Sequence, residues 1–247
     1  MKRIVLFLLV TVTATTACTK KIPSEQLISD FATHYETLGD RFAEPLAAIS
    51  REKRADYITL QLGKELDAKE LWTLDFEAGE ESGQVVIAEF KSRTKEPHVS
   101  ILTACLDDAP ACSAVLDVLD AFKQAKIRPA TALRAIFYDG CASGTEGLKA
   151  VADDFRRANE VTTFDIEISS RDSIPERTFI IEEKLAFADK VVELVPAYLQ
   201  PIVDVQFEIG DFPRENWPTK IPTYRYRLGA DRIADLKAIT AFTFLMN

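Results

Sequence analysis

A chain of 247 residues with 47% hydrophobic content and only nine glycines carries enough apolar surface for a substantial core, which excludes a disordered or fibrous polypeptide. Its net charge of −9 repels phosphate backbones and anionic lipid headgroups, so nucleic acid is not expected among its partners. The length suits one large domain better than two.

Lys2 and Arg3 precede an unbroken apolar run, Ile4 to Val10, and Thr11 to Ala17 continue it with small residues. This is the layout of a secretory signal, and it is too short for a spanning helix. Thr15-Thr16-Ala17-Cys18 resembles a bacterial lipobox, with Thr15 where that motif usually has Leu. The resemblance implies a signal peptide over 1–17, acylation of Cys18, a tether over 18–23 and one domain over 24–247. Simple cleavage that leaves Cys18 unmodified is the alternative. Lipid on Cys18 makes the membrane a partner, each buried CH₂ contributing roughly 0.8 kcal/mol. The expected address is the bacterial cell envelope, as a membrane-anchored lipoprotein facing the periplasm or on the outer-membrane surface. Thr19 is not the Asp that usually signals inner-membrane retention.

Ser24 opens a helical pattern in which Leu27, Ile28, Phe31, Tyr35, Leu38, Phe42, Leu46 and Ile49 recur at steps of three and four. Pro45 marks a break or a new helix start inside it. A second amphipathic helix is expected over Arg51 to Leu66, and the mixed charges of Arg51 to Lys69 read as its solvated face. Strands are expected at Leu71–Phe76, Gln84–Phe90 and His98–Ala104. A helix over Ala111–Ala125 follows, then a buried strand over Thr131–Tyr138, with Asp139-Gly140 as the turn after it. Gly144–Phe155 reads as helix, Thr162–Ser169 as strand, Glu182–Tyr198 as helix and Ile202–Ile209 as strand. Asp211 to Lys220 is a turn-rich loop whose Phe212 and Trp217 pin it to the core or line a groove. A short strand over Pro222–Tyr226 leads to a closing helix, Asp231–Leu245, with Asp231 as its N-cap. Alternating strands and helices predict an α/β fold: three layers, α/β/α, with a mainly parallel mixed central sheet.

Three blocks stand in order: QVVIAEFKSRTKEPHVSILTACLD (84–107), ALRAIFYDGCASGTEGLKAVADDF (132–155) and GDFPRENWPTKIPTYRY (210–226). Together they resemble the secreted zinc-dependent aminopeptidase family that also contains the glutaminyl cyclases. The resemblance implies a phosphorylase/hydrolase-like fold of the zinc-aminopeptidase type. In that family five carboxylate and imidazole ligands hold two zinc ions, and a glutamate acts as general base on the bridging water.

Carried over one at a time, those positions are depleted here. The histidine of the family's His-x-Asp falls on Cys105 and its aspartate on Asp107. The shortened loop leaves Asp108 as the one candidate for the bridging aspartate. The general base falls on Cys141 and the zinc-binding glutamate on Ala142. A later aspartate is matched by Asp165 or Glu167. The final histidine is missing, because His34 and His98 are the only histidines and neither is in register. The expectation is therefore a crevice lined by Cys105, Asp107, Asp108, Cys112, Cys141, Ala142, Asp165 and Glu167, with no confident catalytic residue, no metal and no cofactor. Two zinc ions belong to the alternative in which the domain is a working envelope aminopeptidase.

Cys105 and Cys141 each end a strand and Cys112 starts the helix between them, so all three map to the crevice at strand carboxyl ends, where open α/β sheets hold ligands. Three readings stay open: buried free thiols, a disulfide between two of them in an oxidising envelope, and a thiolate metal site completed by Asp107. Ser113 and Ser143 have no histidine placed to activate them, which argues against a serine hydrolase. The function expected is a membrane-tethered, peptidase-like domain that binds a peptide-like ligand or a partner protein without hydrolysis. A purely structural envelope lipoprotein is the remaining alternative.

Overall fold

The structure is a computed structural model that describes residues 30, 33–37, 39–78, 81–94, 98–139, 141, 147–151, 161–171, 175–182, 188–200, 203–210 and 222–246. The expected leader, Cys18, Gly140, Ala142, Ser143, Phe212 and Trp217 lie outside these residues. After a helical stretch at 33–37, the described elements are α1 (Ala43–Ala48), α2 (Arg51–Leu60), β1 (Glu70–Ala78), β2 (Glu81–Phe90), β3 (His98–Cys105), α3 (Ala109–Gln124), β4 (Ala132–Tyr138), β5 (Val161–Ser169), β6 (Thr178–Glu182), α4 (Ala188–Leu199), β7 (Gln206–Gly210), β8 (Thr223–Arg227) and α5 (Arg232–Met246). Residues 147–151 form a further helical stretch.

The eight strands form one mixed sheet in the order β1-β2-β4-β3-β5-β8-β6-β7. The central run β4-β3-β5-β8 is parallel, the edge hairpin β1-β2 joins β4 antiparallel, and β6 joins β8 antiparallel. Alternation along the strands divides the side chains between two cores. Val86, Ala88, Leu102, Ala104, Ala135, Phe137 and Ile166 face α3 and α5. Val85, Ile87, Ile101, Ile136 and Tyr138 face the other way, where Leu148 and Val151 of the 147–151 stretch cover them. Both faces are apolar because both are covered, as a sheet with parallel crossovers requires. This is the three-layer α/β/α architecture expected from the alternation.

Two elements depart from expectation. Thr178–Glu182 is a strand, whereas the reading began a helix at Glu182 and placed nothing before it. Its sequence, TFIIE, is too short to show a period, and pairing with β7 and β8 decides its state. Phe179 from this strand stacks on Phe242 of α5 at 4.2 Å and contacts Tyr226 and Phe207, so β6 anchors an aromatic cluster. The expected helix over Arg51–Leu66 ends as α-helix at Leu60 and continues as one π-turn over Gln61–Glu65. Pro45 sits in the first turn of the new helix α1, as a start rather than a kink. Asp231 accepts from the Ala234 amide at 3.1 Å, the cap expected for α5.

Helix α3 is buried along almost its whole length, including Asp117. That carboxylate accepts from Arg232 Nη2 and from the Phe42 amide, both at 3.3 Å. Burial nevertheless pushes its pKa up to about 7, with Arg232 and the amide pulling it down only part of the way. The folded chain therefore holds a proton that the unfolded chain releases near pH 4. Stability from this group is full below that pH and is lost as pH rises through about 7. The shift corresponds to at most roughly 4 kcal/mol. Asp235, under Tyr226 and the Gly229 amide, is shifted in the same direction by burial. Asp117→Asn is expected to flatten much of the fall in melting temperature between pH 5 and pH 7.5. Identical slopes for variant and wild type would contradict this assignment.

Candidate functional site

Strand β3 ends at Cys105 and β4 at Tyr138, and the two residues are opposite each other in parallel register. The Leu106 amide donates to the Tyr138 carbonyl at 2.8 Å, which carries the pairing one residue past the strand. The chain leaving β4 brings Cys141 back over this end, and Cys105 and Cys141 are joined by a disulfide with a Cα–Cα distance of 6.1 Å. Both are half-buried. A carboxylate oxygen of Asp107 lies within 4.8 Å of both sulfurs.

Among the described residues, Cys112 is the free thiol. It is fully buried one turn into α3 and donates to the Cys105 carbonyl at 3.0 Å. Burial raises its pKa, so it stays protonated and inert. The three cysteines thus converge, but Cys112 is directed at backbone rather than at the crevice.

Asp108 is the N-cap of α3. Its Oδ1 accepts from the Ala111 amide at 3.0 Å and from Ser170 Oγ at 2.7 Å, and its Oδ2 accepts from the Ser170 amide at 2.7 Å. It is 2% exposed. The resemblance offered Asp108 as a bridging ligand; instead both oxygens serve to cap a helix and to tie it to the end of β5.

The most consequential side chain was read as part of a solvated helix face. Arg51, the first residue of α2, reaches across to the crevice and forms ion pairs with Asp107 and, at 2.7 Å, with Asp139. Three residues on, Arg54 Nη1 donates to the Leu106 carbonyl at 2.8 Å. Arg171 donates to the Asp107 carbonyl from the far side. Three guanidinium groups therefore hold the β3–α3 turn. For Arg51 and Arg54 the sequence signal is a helix periodicity that puts both on one face; Arg171, just past β5, carries none. A Cβ at Gly147 would stand 2.7 Å from the Asp139 carbonyl, so a glycine is needed where the 147–151 stretch meets this turn.

Asp165 and Glu167 lie on one face of β5, further down the sheet. Asp165 is fully buried and accepts from Thr103 Oγ1 at 3.1 Å. Glu167 accepts from Tyr138 Oη at 3.0 Å and from Arg225 Nε at 3.0 Å. Register places Glu167 level with Thr103, two residues below Cys105. Ser113 is buried, donates to the Pro110 carbonyl at 2.9 Å and accepts from Arg232 Nη2 at 2.6 Å. His34 packs edge-on against Tyr35 near the start of the described chain, and His98 begins β3 at the end opposite Cys105.

No protein-family model matches the chain, and no curated protein matches its sequence. Solved structures do share its fold. The LapA aminopeptidase of Legionella pneumophila is 11% identical, with a TM-score of 0.60 over 94% of this chain and 76% of that one. A Zn-dependent exopeptidase of Parabacteroides distasonis is 13% identical, with a TM-score of 0.59 over 92% and 98%. A glutaminyl cyclase of Macrostomum lignano is 11% identical, with a TM-score of 0.63 over 93% and 94%. The fold is that of the zinc aminopeptidases and glutaminyl cyclases.

Closing the 36-residue separation between Cys105 and Cys141 restricts the unfolded chain. The loop-closure relation puts this near 4 kcal/mol. Cys141→Ser should therefore lower the melting temperature under oxidising conditions and make it insensitive to reductant. A variant as stable as the wild type without reductant would count against the disulfide. Asp108→Ala loses a cap and the bonds to Ser170, at a cost of roughly 2–3 kcal/mol. Denaturant titration should show that loss, with Asp108→Asn recovering part of it.

Proposed function

We propose that this protein is an envelope lipoprotein, acylated at Cys18, whose aminopeptidase-type domain has lost its zinc site and binds a peptide-like ligand or a partner protein without hydrolysing it. The observation that carries the reading is the closure of the strand ends by the Cys105–Cys141 disulfide and the Arg51 bridge between Asp107 and Asp139.

A pair of zinc ions needs about five anionic or neutral donors held open toward a shared water. The residues at the corresponding positions do not fit that need. Two sulfurs are bonded to each other, Asp107 is paired with a cation, and Asp108 is spent as a helix cap. The position of the zinc-binding glutamate is Ala142, which has no donor atom. A guanidinium between two carboxylates offsets the same negative charge a metal would, but it polarises no carbonyl and activates no water. No reaction step is therefore assigned to the domain.

Residues 1–17 support export, and Cys18 supports lipid attachment. Among the described residues no helix is long and apolar enough to cross a membrane, so acyl chains on Cys18 are the proposed anchor. An acidic, domain-sized body on a lipid tether fits an address in the periplasm or on the outer-membrane surface.

Metal analysis and an aminoacyl-anilide assay on the full mature chain test this reading. The expected result is no zinc pair in the air-oxidised protein and no release of the aniline. Two zinc ions per chain with turnover would overturn it in favour of an active aminopeptidase. Cys18→Ser is expected to move the protein from the membrane fraction to the soluble fraction. A ligand from a panel of short peptides and peptidoglycan fragments should raise the melting temperature by linkage. No shift with any of them would favour a purely structural role.

A further inference from the structure

We infer that Cys105, Cys141 and Asp107 form a redox-gated site for a single thiophilic divalent cation, closed while the disulfide stands and opened by its reduction. The site uses the same Cys105, Cys141 and Asp107 that the reading above finds unfit for a zinc pair, and it asks of them a single cation after reduction only.

Two of the three donors, Cys105 and Asp107, are held by contacts other than the sulfur–sulfur bond, and the third is tethered close to them. The parallel register of β3 and β4 sets Cys105 beside Tyr138, and the Leu106–Tyr138 backbone bond holds the two exits together. Cys141 follows three residues after Tyr138. Arg54 donates to the Leu106 carbonyl and Arg171 to the Asp107 carbonyl, which fixes the backbone of both residues. Reduction therefore frees two sulfurs, one on a fixed strand end and one three residues from the Tyr138 end of β4. With a carboxylate oxygen of Asp107 they already fall within 4.8 Å of one another. Tetrahedral zinc, with bonds of about 2.3 Å to sulfur and 2.0–2.2 Å to oxygen, needs donors roughly 3.5–4 Å apart. Side-chain rotation alone spans that difference.

The donor set selects the cation. Two thiolates and one carboxylate favour zinc and similar soft divalent ions over magnesium or calcium. Three protein ligands leave a fourth position for water, which gives a single open site. Cys112 is fully buried and turned to the Cys105 carbonyl, so it is not a ligand. Both bonded cysteines are half-buried, within reach of a reductant and of an incoming ion.

The chemistry balances as follows. A dithiol reductant attacks one sulfur, and through a mixed disulfide it is oxidised to its own disulfide, leaving two cysteine thiols. The two electrons and two protons come from the dithiol. The cation then binds both sulfurs as thiolates and releases those two protons to solvent. Asp107 exchanges its pairing with Arg51 for the cation, and Arg51 keeps Asp139.

Zinc titration of the full mature chain tests the site, with and without a water-soluble phosphine as the reductant, followed by equilibrium dialysis and metal analysis. The reduced chain should hold one zinc per molecule and the oxidised chain none. Cobalt should give a thiolate charge-transfer band in the reduced protein alone. In reductant, Cys105→Ser, Cys141→Ser and Asp107→Asn should each weaken binding at least tenfold, and Cys112→Ser should bind as wild type does. Arg51→Ala should tighten binding severalfold, because it removes a competing cation; a merely structural arginine would not do this. Far-UV circular dichroism on the reduced chain checks the fold. Equal zinc binding in both redox states, full binding by Cys141→Ser, loss of binding in Cys112→Ser, or a reduced chain that unfolds and is not restored by zinc would each overturn the assignment.

Discussion

Seven residue pairs hold β3 against β4, from Val99 opposite Ala132 to Cys105 opposite Tyr138. The rest of the crevice depends on this parallel register. Because both strands run the same way, both exits open at one edge of the sheet, and whatever follows them must meet there. Here the meeting residues are a disulfide, two aspartates and an arginine delivered from outside the sheet. A slip of one residue would turn Cys105 and Cys141 to opposite faces and leave Arg51 without its pair of carboxylates.

The crevice also shows how an acidic chain accommodates its carboxylates. Asp108 is used up by a helix N-terminus and by Ser170, Asp107 and Asp139 share Arg51, and Glu167 is held by Tyr138 and Arg225. At Asp117, packed in α3 against Arg232, and at Asp235, under Tyr226, burial outweighs compensation. These are different outcomes of one competition between desolvation and local partners.

The structural neighbours are hydrolases and cyclases, yet a fold carries no chemistry of its own. At 10–17% identity the shared feature is the sheet and its crossovers, and function must be argued from the strand ends. There this chain places a disulfide, Cys105–Cys141, and an arginine, Arg51, paired with Asp107 and Asp139.

Much of the architecture was legible in the sequence. Buried strands such as HVSILTA and ALRAIFY are short, mostly apolar and β-rich, and the capping Asp231 stands before a clear helix, so local patterning identified them. The convergence of Cys105, Cys112 and Cys141 followed from each lying at or just beyond a strand's carboxyl end. β6 was not legible, because five residues carry no period and pairing with β7 and β8 decides their state. Nor was the partner of Arg51. Its carboxylates lie 56 and 88 positions away, and its surroundings in the sequence are those of an ordinary charged helix face. Local composition and periodicity determine which segments form helices and strands and which faces are apolar, since those preferences act between neighbours in the chain. Which cysteine pairs, which carboxylate caps a helix and which cation enters the crevice were decided only by tertiary structure, since these depend on distances that close when the sheet assembles.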